Sequence, residues 1–365
     1  MYGGIMNYKP SDAFYMMQKE LEANGVPILI GGTGIGKSAL IGDLIELLAE
    51  GREIISSPSP KKNQFGRVDF RCSTIEASDL SIPYVVEGVQ KRAFLDTLPT
   101  CGEGILFLDE FGQAQQSVQV VMSQLLYEKA IAEYELPTPE NGKGNWKVVV
   151  ASNRSTDRAG SSKLPSHSFS RTGVIEVISD FNDWYSWAIK NEVHTDILGF
   201  LSYQPNLLNV FDPKIIAPQP CPRQWVSFSN ILKTSPEKKY IPMLADCHLG
   251  ETASMEFSSF LNLKEDVPDL LKICSGEETQ LPSEKSGKKL NGILFATVVA
   301  LVTVIKESKE SLSKGYFEHA MAYIESFPTP EFAIFFVRTL TEARPELRET
   351  VAFNEFEVKH HELTF

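Results

Sequence analysis

A glycine-rich segment near the N-terminus has the composition and spacing of a phosphate-binding loop. It fits the pattern GxxxxGK[ST] at every fixed position and consists of Gly31, Gly32, Thr33, Gly34, Ile35, Gly36, Lys37 and Ser38. In such a loop the glycines let backbone N–H groups converge on an anion, and the positive end of the following helix faces the same phosphates. The pattern predicts that Lys37 neutralises the β- and γ-phosphates of ATP and that the Ser38 hydroxyl is a ligand of Mg²⁺.

Two adjacent carboxylates follow an apolar stretch in the segment Ile105–Glu110. The carboxyl ends of parallel strands are where ligands bind in α/β sheets. We therefore expect Asp109 to hold Mg²⁺, directly or through water. We expect Glu110 to act as the general base that polarises the attacking water, because hydrolysis needs a nucleophile in line with the γ-phosphate.

A polar amide ends a second apolar stretch, Lys147–Asn153. Asn153 is a candidate to hydrogen-bond the γ-phosphate or the attacking water. Asparagine also ends strands as an ordinary turn former, so the residue alone is weak evidence. Its position downstream of the loop and the acid pair favours the functional role.

The elements that must position these residues alternate between strand and helix. Apolar stretches predict strands at residues 26–30, 68–72, 104–108, 147–152 and 173–178, and helical periodicity predicts helices at 11–24, 38–49 and 117–128. The pattern of residues 131–150 predicts a hairpin around the turn segment Thr138–Asn145. The alternation predicts a three-layer α/β domain with a parallel sheet.

The β pattern fades after about residue 180, and the rest of the chain reads as mostly helical. We predict an α/β nucleotide-binding domain over residues 1–180, a helical lid over 181–290 and a C-terminal helical extension over 291–365. The longest apolar run, Leu290–Ile305, is shorter than the roughly 20 residues of a membrane span, so it predicts a buried core helix.

The bulk composition narrows the class of protein. The 365-residue chain has a formal net charge of −12, which disfavours a protein that coats nucleic acid electrostatically. Its five cysteines form no CxxC pair, which favours reduced thiols over disulfides or a zinc site. The N-terminus has no apolar signal-peptide region. We expect a cytoplasmic protein that does not contact a membrane.

The order of these features resembles that of AAA+ ATPases, and within them the MoxR-like branch. That order is the loop Gly31–Ser38, an insert near Asp79–Pro83, the strand ending in Asp109 and Glu110, a hairpin before the Ala151–Asn153 strand end, an arginine after a Leu-Pro segment, and the segment Pro222–Trp225. The stretches Asp183–Ala188 and Gly250–Phe260 are also similar to segments of MoxR-like proteins of bacteria and phages. The resemblance thus covers most of the chain.

The resemblance implies roles for three further residues. Asn153 matches the first sensor, and Arg223 matches the second sensor, which folds the lid onto the nucleotide. Arg171 matches the arginine finger that reaches the γ-phosphate bound in the neighbouring subunit. Family members usually carry Phe after that arginine, whereas this chain has Thr172. Two nearby residues, Arg154 and Arg158, are the alternatives for the finger.

The resemblance also implies a hexameric ring with ATP at the subunit interfaces. Members of the branch commonly work beside a partner with a von Willebrand factor A domain and remodel protein clients. The insert at Leu80–Val89 and the predicted hairpin tip near Gly142 would face the pore or a client. Tyr84 and Trp146 are candidate contact aromatics there, and a packing role suits each equally well.

Besides an ATP-driven protein remodeller, two other classes of function are compatible with these residues. One is a motor or loader that acts on nucleic acid with the same fold, for example in phage DNA processing, which the acidic net charge disfavours. The other is a scaffold that binds ATP without turning it over, which the intact Lys37, Asp109 and Glu110 disfavour.

Overall fold

The structure is a computed structural model, and it describes residues 6–154, 157, 172–212, 214–263, 266–278, 280–281, 290–308 and 314–360. The chain divides into two compact units. The first comprises Met1–Asp180 with Asp212–Ile215, and the second comprises Phe181–Phe211 with Ile216–Phe365. The strands of the described residues lie in the first unit, and the second unit is helical.

The first unit alternates strands with helices, as the pattern of apolar residues predicts. Its strands are β1 (Asn7–Tyr8), β2 (Pro27–Gly31), β3 (Glu53–Ile55), β4 (Gln64–Arg71), β5 (Ser81–Val86), β6 (Val89–Phe94), β7 (Gly102–Asp109), β8 (Ala130–Ile131), β9 (Tyr134–Glu135), β10 (Gly144–Asn153) and β11 (Gly173–Val177). Its helices are α1 (Pro10–Glu22), α2 (Lys37–Ala49), α3 (Ala77–Leu80) and α4 (Gln116–Glu128).

Seven strands form one parallel sheet in the order β1-β11-β2-β10-β7-β4-β3. Its inner strands are apolar and buried because helices cover both faces. Side chains of α1 and α2 pack on one face, and those of α4 pack on the other. The predicted three-layer α/β fold with a parallel sheet is confirmed.

The second unit contains ten helices among the described residues. They are α5 (Phe181–Lys190), α6 (Thr195–Tyr203), α7 (Pro222–Leu232), α8 (Ile241–Leu249), α9 (Glu251–Leu263), α10 (Leu270–Ser275), α11 (Leu290–Glu307), α12 (Tyr316–Glu325), α13 (Glu331–Ala343) and α14 (Val351–His360). One hydrophobic core runs from Trp184 to Phe356 and includes side chains from both the predicted lid and the predicted extension. The division between those two parts stays a prediction.

Helix α11 holds the longest apolar run of the sequence. Its side chains at Ile293, Ala296 and Val299 are buried in the core of the second unit, so the prediction of a buried core helix is confirmed. Across the described part of the chain, no helix combines the length and apolar character needed to cross a membrane.

The predicted hairpin over residues 131–150 is wrong. Strand β10 pairs in parallel with β7 over residues 144–150 and with β2 over residues 150–153, and among the described residues no strand pairs with it in the antiparallel direction. The segment before it forms only the short β8–β9 pair. The turn residues around Gly142, which is exposed at a φ of +71°, therefore lead into the central sheet rather than reverse a hairpin.

Trp146 is a packing residue rather than a contact aromatic. Its side chain is buried, and its indole N–H donates to the carbonyl oxygen of Cys101 at 2.9 Å. The ring lies over Gly66 of β4, where an added Cβ would stand 2.5 Å from a ring carbon. The indole therefore needs a glycine beneath it.

Candidate active site

Three neighbouring strands of the sheet end at one edge. Strand β10 lies between β2 and β7, with Asn153 in register with Gly31 and Val150 in register with Leu108. The ends of these strands carry the start of the phosphate loop, the amide of Asn153 and the carboxylate of Asp109. The parallel topology thus brings together the three predicted segments of the site, which are far apart in the sequence.

The phosphate loop depends on glycine for its backbone shape. Gly34 and Gly36 have φ angles of +75° and +102°, a region that L side chains rarely adopt. A Cβ at Gly36 would meet no atom within 4 Å, so the requirement there is conformational rather than steric. At Gly31 the requirement is steric, because an added Cβ would lie 2.5 Å from the side chain of Ile35, which packs beneath the loop.

The N-terminus of α2 carries no capping or acidic side chain. Its N-cap residue, Gly36, offers no side-chain hydrogen bond, and the first turn contains no acidic residue. The first N–H groups of the helix and its positive dipole end are therefore not neutralised by a local side chain. This arrangement suits an anionic ligand.

Lys37 joins the loop to the neighbouring strand. Its ammonium donates hydrogen bonds to the carbonyl oxygens of Gly31 and Gly32, each at 2.9 Å, and to the Oδ1 atom of Asn153 at 2.8 Å. Two predicted site residues 116 positions apart in the sequence are thus in direct contact. The cation is held at the mouth of the loop.

The acid pair lies at the end of β7. Burial raises the pKa of Asp109 above its usual value, and the negative charge of Glu110 adds to this. The Glu110 N–H, which donates to Asp109 Oδ1 at 2.8 Å, and the positive charges of Lys37 and Arg71 act in the opposite direction. Glu110 itself has a φ of +54°, an uncommon conformation for a residue other than glycine.

Two residues that the sequence did not single out contact Glu110. The hydroxyl of Ser73 donates a hydrogen bond to Glu110 Oε2, and the Nε atom of Arg71 lies 3.9 Å from the same oxygen. Arg71 ends β4 in register with Asp109. The reasoning from strand ends that identified Asp109 and Asn153 would also have found this position, because β4 neighbours β7 in the sheet.

Ser38 and Thr33 supply the hydroxyl groups of the loop. Ser38 is the second residue of α2 and is partly exposed. The Oγ1 atom of Thr33 is buried, and no hydrogen-bond partner is found for it in the part of the chain that the structure describes. A buried hydroxyl in this position is available to a ligand of the loop.

The donor set at the strand ends fits a magnesium ion. A hydroxyl and a carboxylate, those of Ser38 and Asp109, are hard oxygen ligands of the kind that Mg²⁺ takes. Within the described residues, no group of three or more His, Cys, Asp and Glu is placed to hold a metal ion. A nucleotide-linked Mg²⁺ uses one or two protein ligands together with phosphate oxygens and water.

The predicted arginines differ in their location and their contacts. Arg171 and the alternative Arg158 lie outside the described residues. The other alternative, Arg154, has its Nε atom 2.7 Å from Glu176 Oε1 on β11, so it is engaged within its own chain. Arg223 is exposed in the first turn of α7, in the helical unit.

Comparison with known proteins finds one family match, which lies within the first unit. Residues 27–171 match the family described as the AAA domain, dynein-related subfamily. No curated protein sequence is significantly similar to this chain.

Similar solved structures are distant. NtrX from Brucella abortus is 10% identical at a TM-score of 0.36, with 95% of this chain and 68% of that chain covered. The RuvB Holliday-junction branch-migration motor of Thermotoga maritima is 14% identical at a TM-score of 0.33, with 88% and 90% covered. These values support no inference about activity. The family match, however, spans the phosphate loop, the acid pair and Asn153, so residues 27–171 form an AAA domain and the protein is an ATPase.

Proposed function

We propose that this protein is a ring-forming, MoxR-like AAA+ ATPase that uses Mg²⁺-dependent ATP hydrolysis to remodel a protein client. The observation that carries the catalytic part is the bond between the Lys37 ammonium and the Asn153 amide oxygen at the mouth of the phosphate loop. It joins the residue proposed to bind the phosphates to the residue proposed to orient the water. The acid pair ends the next strand of the same sheet.

In the proposed mechanism the loop Gly31–Ser38 cradles the triphosphate with its backbone N–H groups. Lys37 exchanges its bonds to the loop carbonyls for bonds to phosphate oxygens. Ser38 and Asp109 would hold Mg²⁺, which supplies charge neutralisation at the phosphates when it is bound.

Glu110 acts as the general base in this mechanism. Its carboxylate accepts a proton from the attacking water, and the Asn153 side chain orients that water toward the γ-phosphate. In the structure Oε2 of Glu110 accepts the hydrogen bond of Ser73, so this hydroxyl restrains the orientation of the proposed base.

Assembly completes the site in this proposal. Arg171 of the partner subunit stabilises the charge that develops on the γ-phosphate, and Arg223 couples the helical part to the nucleotide. We propose a hexamer that works in the cytoplasm beside a partner with a von Willebrand factor A domain. The five unpaired cysteines are consistent with a reducing compartment.

The Glu110→Gln variant tests the assignment of the base. Removing the general base should lower kcat by about 100-fold or more, while the Kd for ATP stays within about threefold, because the amide keeps the shape of the side chain. Steady-state hydrolysis and calorimetric titration with ATP and Mg²⁺ measure both quantities. The control is Glu46→Gln, an exposed carboxylate on α2. Unchanged turnover in Glu110→Gln would refute the role.

The same assay separates a protein client from nucleic acid. Hydrolysis by the unaltered protein is measured with and without single- and double-stranded DNA at several salt concentrations. We expect no stimulation, since the chain has a net charge of −12. Strong stimulation that falls steeply with salt would instead favour a nucleic-acid motor.

A further inference from the structure

Strands β5 and β6 form a two-stranded antiparallel hairpin that stands apart from the central sheet. Nearly all of its side chains are exposed, including large apolar ones such as Ile82 at 63%, Val85 at 69% and Val89 at 59%. The base of the hairpin is anchored, because the Phe94 ring packs on the Tyr134 ring with centroids 5.8 Å apart. Such a surface is unusual for a segment without a binding partner.

The turn of the hairpin determines which backbone groups point outward. Glu87 and Gly88, with φ angles of +53° and +77°, form a two-residue turn that Val86 and Val89 close. In a two-residue hairpin the closing pair exchanges hydrogen bonds, and the pairs then alternate along the ladder. The pairs Val85–Gln90, Pro83–Arg92 and Ser81–Phe94 are therefore the ones whose backbone groups face away from the partner strand.

The two outer edges of the hairpin differ in their ability to bind another strand. Pro83 has no N–H group, and it lies at an outward-facing position of β5, where its presence blocks further pairing without weakening the hairpin. The outer edge of β6 carries no proline. Its backbone groups at Gln90 and Arg92 are open, and among the described residues no third strand pairs with it.

The side chains along β6 are basic at its centre. Lys91 and Arg92 are exposed and lie on opposite faces of the hairpin, whereas the chain as a whole has a net charge of −12. A second copy of β6 paired antiparallel about this centre would set the basic residues against each other. A strand with acidic residues at its centre would complement them on both faces.

We propose that the outer edge of β6 binds an extended, acidic polypeptide segment of the client as a third strand. Backbone hydrogen bonds at Gln90 and Arg92 supply affinity, and carboxylates beside Lys91 and Arg92 supply selectivity. Apolar side chains of the segment extend the exposed face formed by Ile82, Tyr84 and Val89. This assignment rests on the proposed protein client and defines the chemistry by which that client is recognised.

A binding experiment with two proline variants tests the edge directly. The probe is a short fluorescein-labelled peptide of alternating valine and threonine with two adjacent aspartates at its centre. Its Kd for the full chain is measured by fluorescence anisotropy without nucleotide, and a peptide with lysines in place of the aspartates serves for comparison. We expect the acidic peptide to bind at least about tenfold more tightly than the basic one.

Gln90→Pro removes the outward N–H of β6, and Val85→Pro makes the same change at the residue directly opposite, on the outer edge of β5. Gln90→Pro should weaken binding of the acidic peptide by about tenfold or more, and Val85→Pro should change it by less than about twofold. Lys91→Glu, which leaves the backbone intact, should reduce or reverse the preference for the acidic peptide. Thermal unfolding midpoints equal to that of the wild type show that the variants fold.

Equal weakening by both proline variants, or no preference for the acidic peptide, overturns the proposal. The proposal is also overturned if the wild type binds no peptide and Gln90→Pro loses self-association, because a second copy of the chain would then cover this edge. Peptide binding is measured without hydrolysis, so its failure leaves the ATPase mechanism standing. Conversely, an unaltered Glu110→Gln turnover would refute that mechanism while leaving the peptide result intact.

Discussion

The carboxylate of Glu110 is engaged by two side chains from the region where β4 ends. Ser73 donates a hydrogen bond to Oε2, and Arg71 lies 3.9 Å from the same atom. The arginine is largely exposed, so its contribution is small. The hydroxyl of Ser73 is therefore the main restraint on the proposed base, and it stabilises a position in which the carboxylate already has a donor.

Removing this restraint should raise basal hydrolysis. In Ser73→Ala we expect kcat to increase by about two- to tenfold, which corresponds to the roughly 0.5–1.5 kcal/mol of one hydrogen bond, while the Kd for ATP stays unchanged. Single-turnover hydrolysis and equilibrium nucleotide binding separate the two effects. Ser73→Thr keeps the hydroxyl and should behave like the wild type. A fall in kcat for Ser73→Ala would mean that the serine orients Glu110 for catalysis.

The chemistry of a single residue could be predicted from the sequence where a motif fixes both the residue type and its spacing from the other residues. The loop Gly31–Ser38 has this property, because its glycines are required by backbone angles and its lysine by charge. Ser73 has no such pattern around it, since a serine after a strand is common and its bond to Glu110 depends on which strands are neighbours. Only the sheet order reveals that contact.

At the scale of elements, parallel strands buried on both faces were the easiest to predict. Strands β2, β7 and β10 are continuous apolar runs because helices cover both sides of the sheet. The apolar residues of β5 did not mark a buried strand of the sheet, because they are exposed and Pro83 interrupts them. The two-residue β1 and three-residue β3 are too short to give a periodic signal. The hairpin predicted over residues 131–150 was wrong because a turn pattern does not specify which strand pairs with which.

The end of α4 holds an unfavourable charge that gives a pH-dependent stability. Lys129 is the C-cap residue of this helix, and it lines a cleft of about 300 Å³ together with Lys147. Burial, with a smaller effect of the positive charge on Lys147, lowers the pKa of Lys129 from 10.5 to about 8. The folded chain therefore releases this proton at a lower pH than the unfolded chain does.

Between about pH 8 and pH 10.5 the unfolded chain binds more protons at this site, so the contribution of Lys129 to the free energy of unfolding rises with pH. Below pH 8 the cost of burying the charge is fully present. Lys129→Met should therefore raise the free energy of unfolding by about 1–3 kcal/mol at pH 7, and this gain should shrink toward pH 10.5. Urea denaturation of both proteins at matched pH values measures the difference.

The control for this prediction is Lys62→Met, which replaces an exposed lysine. It should give a difference from the wild type that is close to zero and independent of pH. A gain for Lys129→Met that stays constant from pH 7 to pH 10 would indicate better apolar packing rather than relief of a buried charge.

At the scale of the whole molecule, one chain is proposed to hold only part of the catalytic machinery. Lys37 and Glu110 belong to the same unit, and the loop, the acid pair and Asn153 share one edge of its sheet. In the proposal, the finger Arg171 would act on the nucleotide of the neighbouring subunit. Arg154 is less suited to this role, because it is paired with Glu176 of its own chain.

Mixing two inactive variants tests this division of the site. Lys37→Ala and Arg171→Ala should each lose nearly all hydrolysis, by about 10³-fold or more for the finger. In equimolar mixed rings about one interface in four combines an intact Lys37 with an intact Arg171, so a matching fraction of activity should return. Mixing Lys37→Ala with Glu110→Gln is the control. Each of these variants lacks a residue of its own nucleotide site, so no interface in the mixed ring is complete. Co-purification through a tag on one variant shows that mixed rings form. If they form and Arg171→Ala gives no more recovery than the control, the finger does not act in trans; recovery with Arg158→Ala in its place would then reassign it.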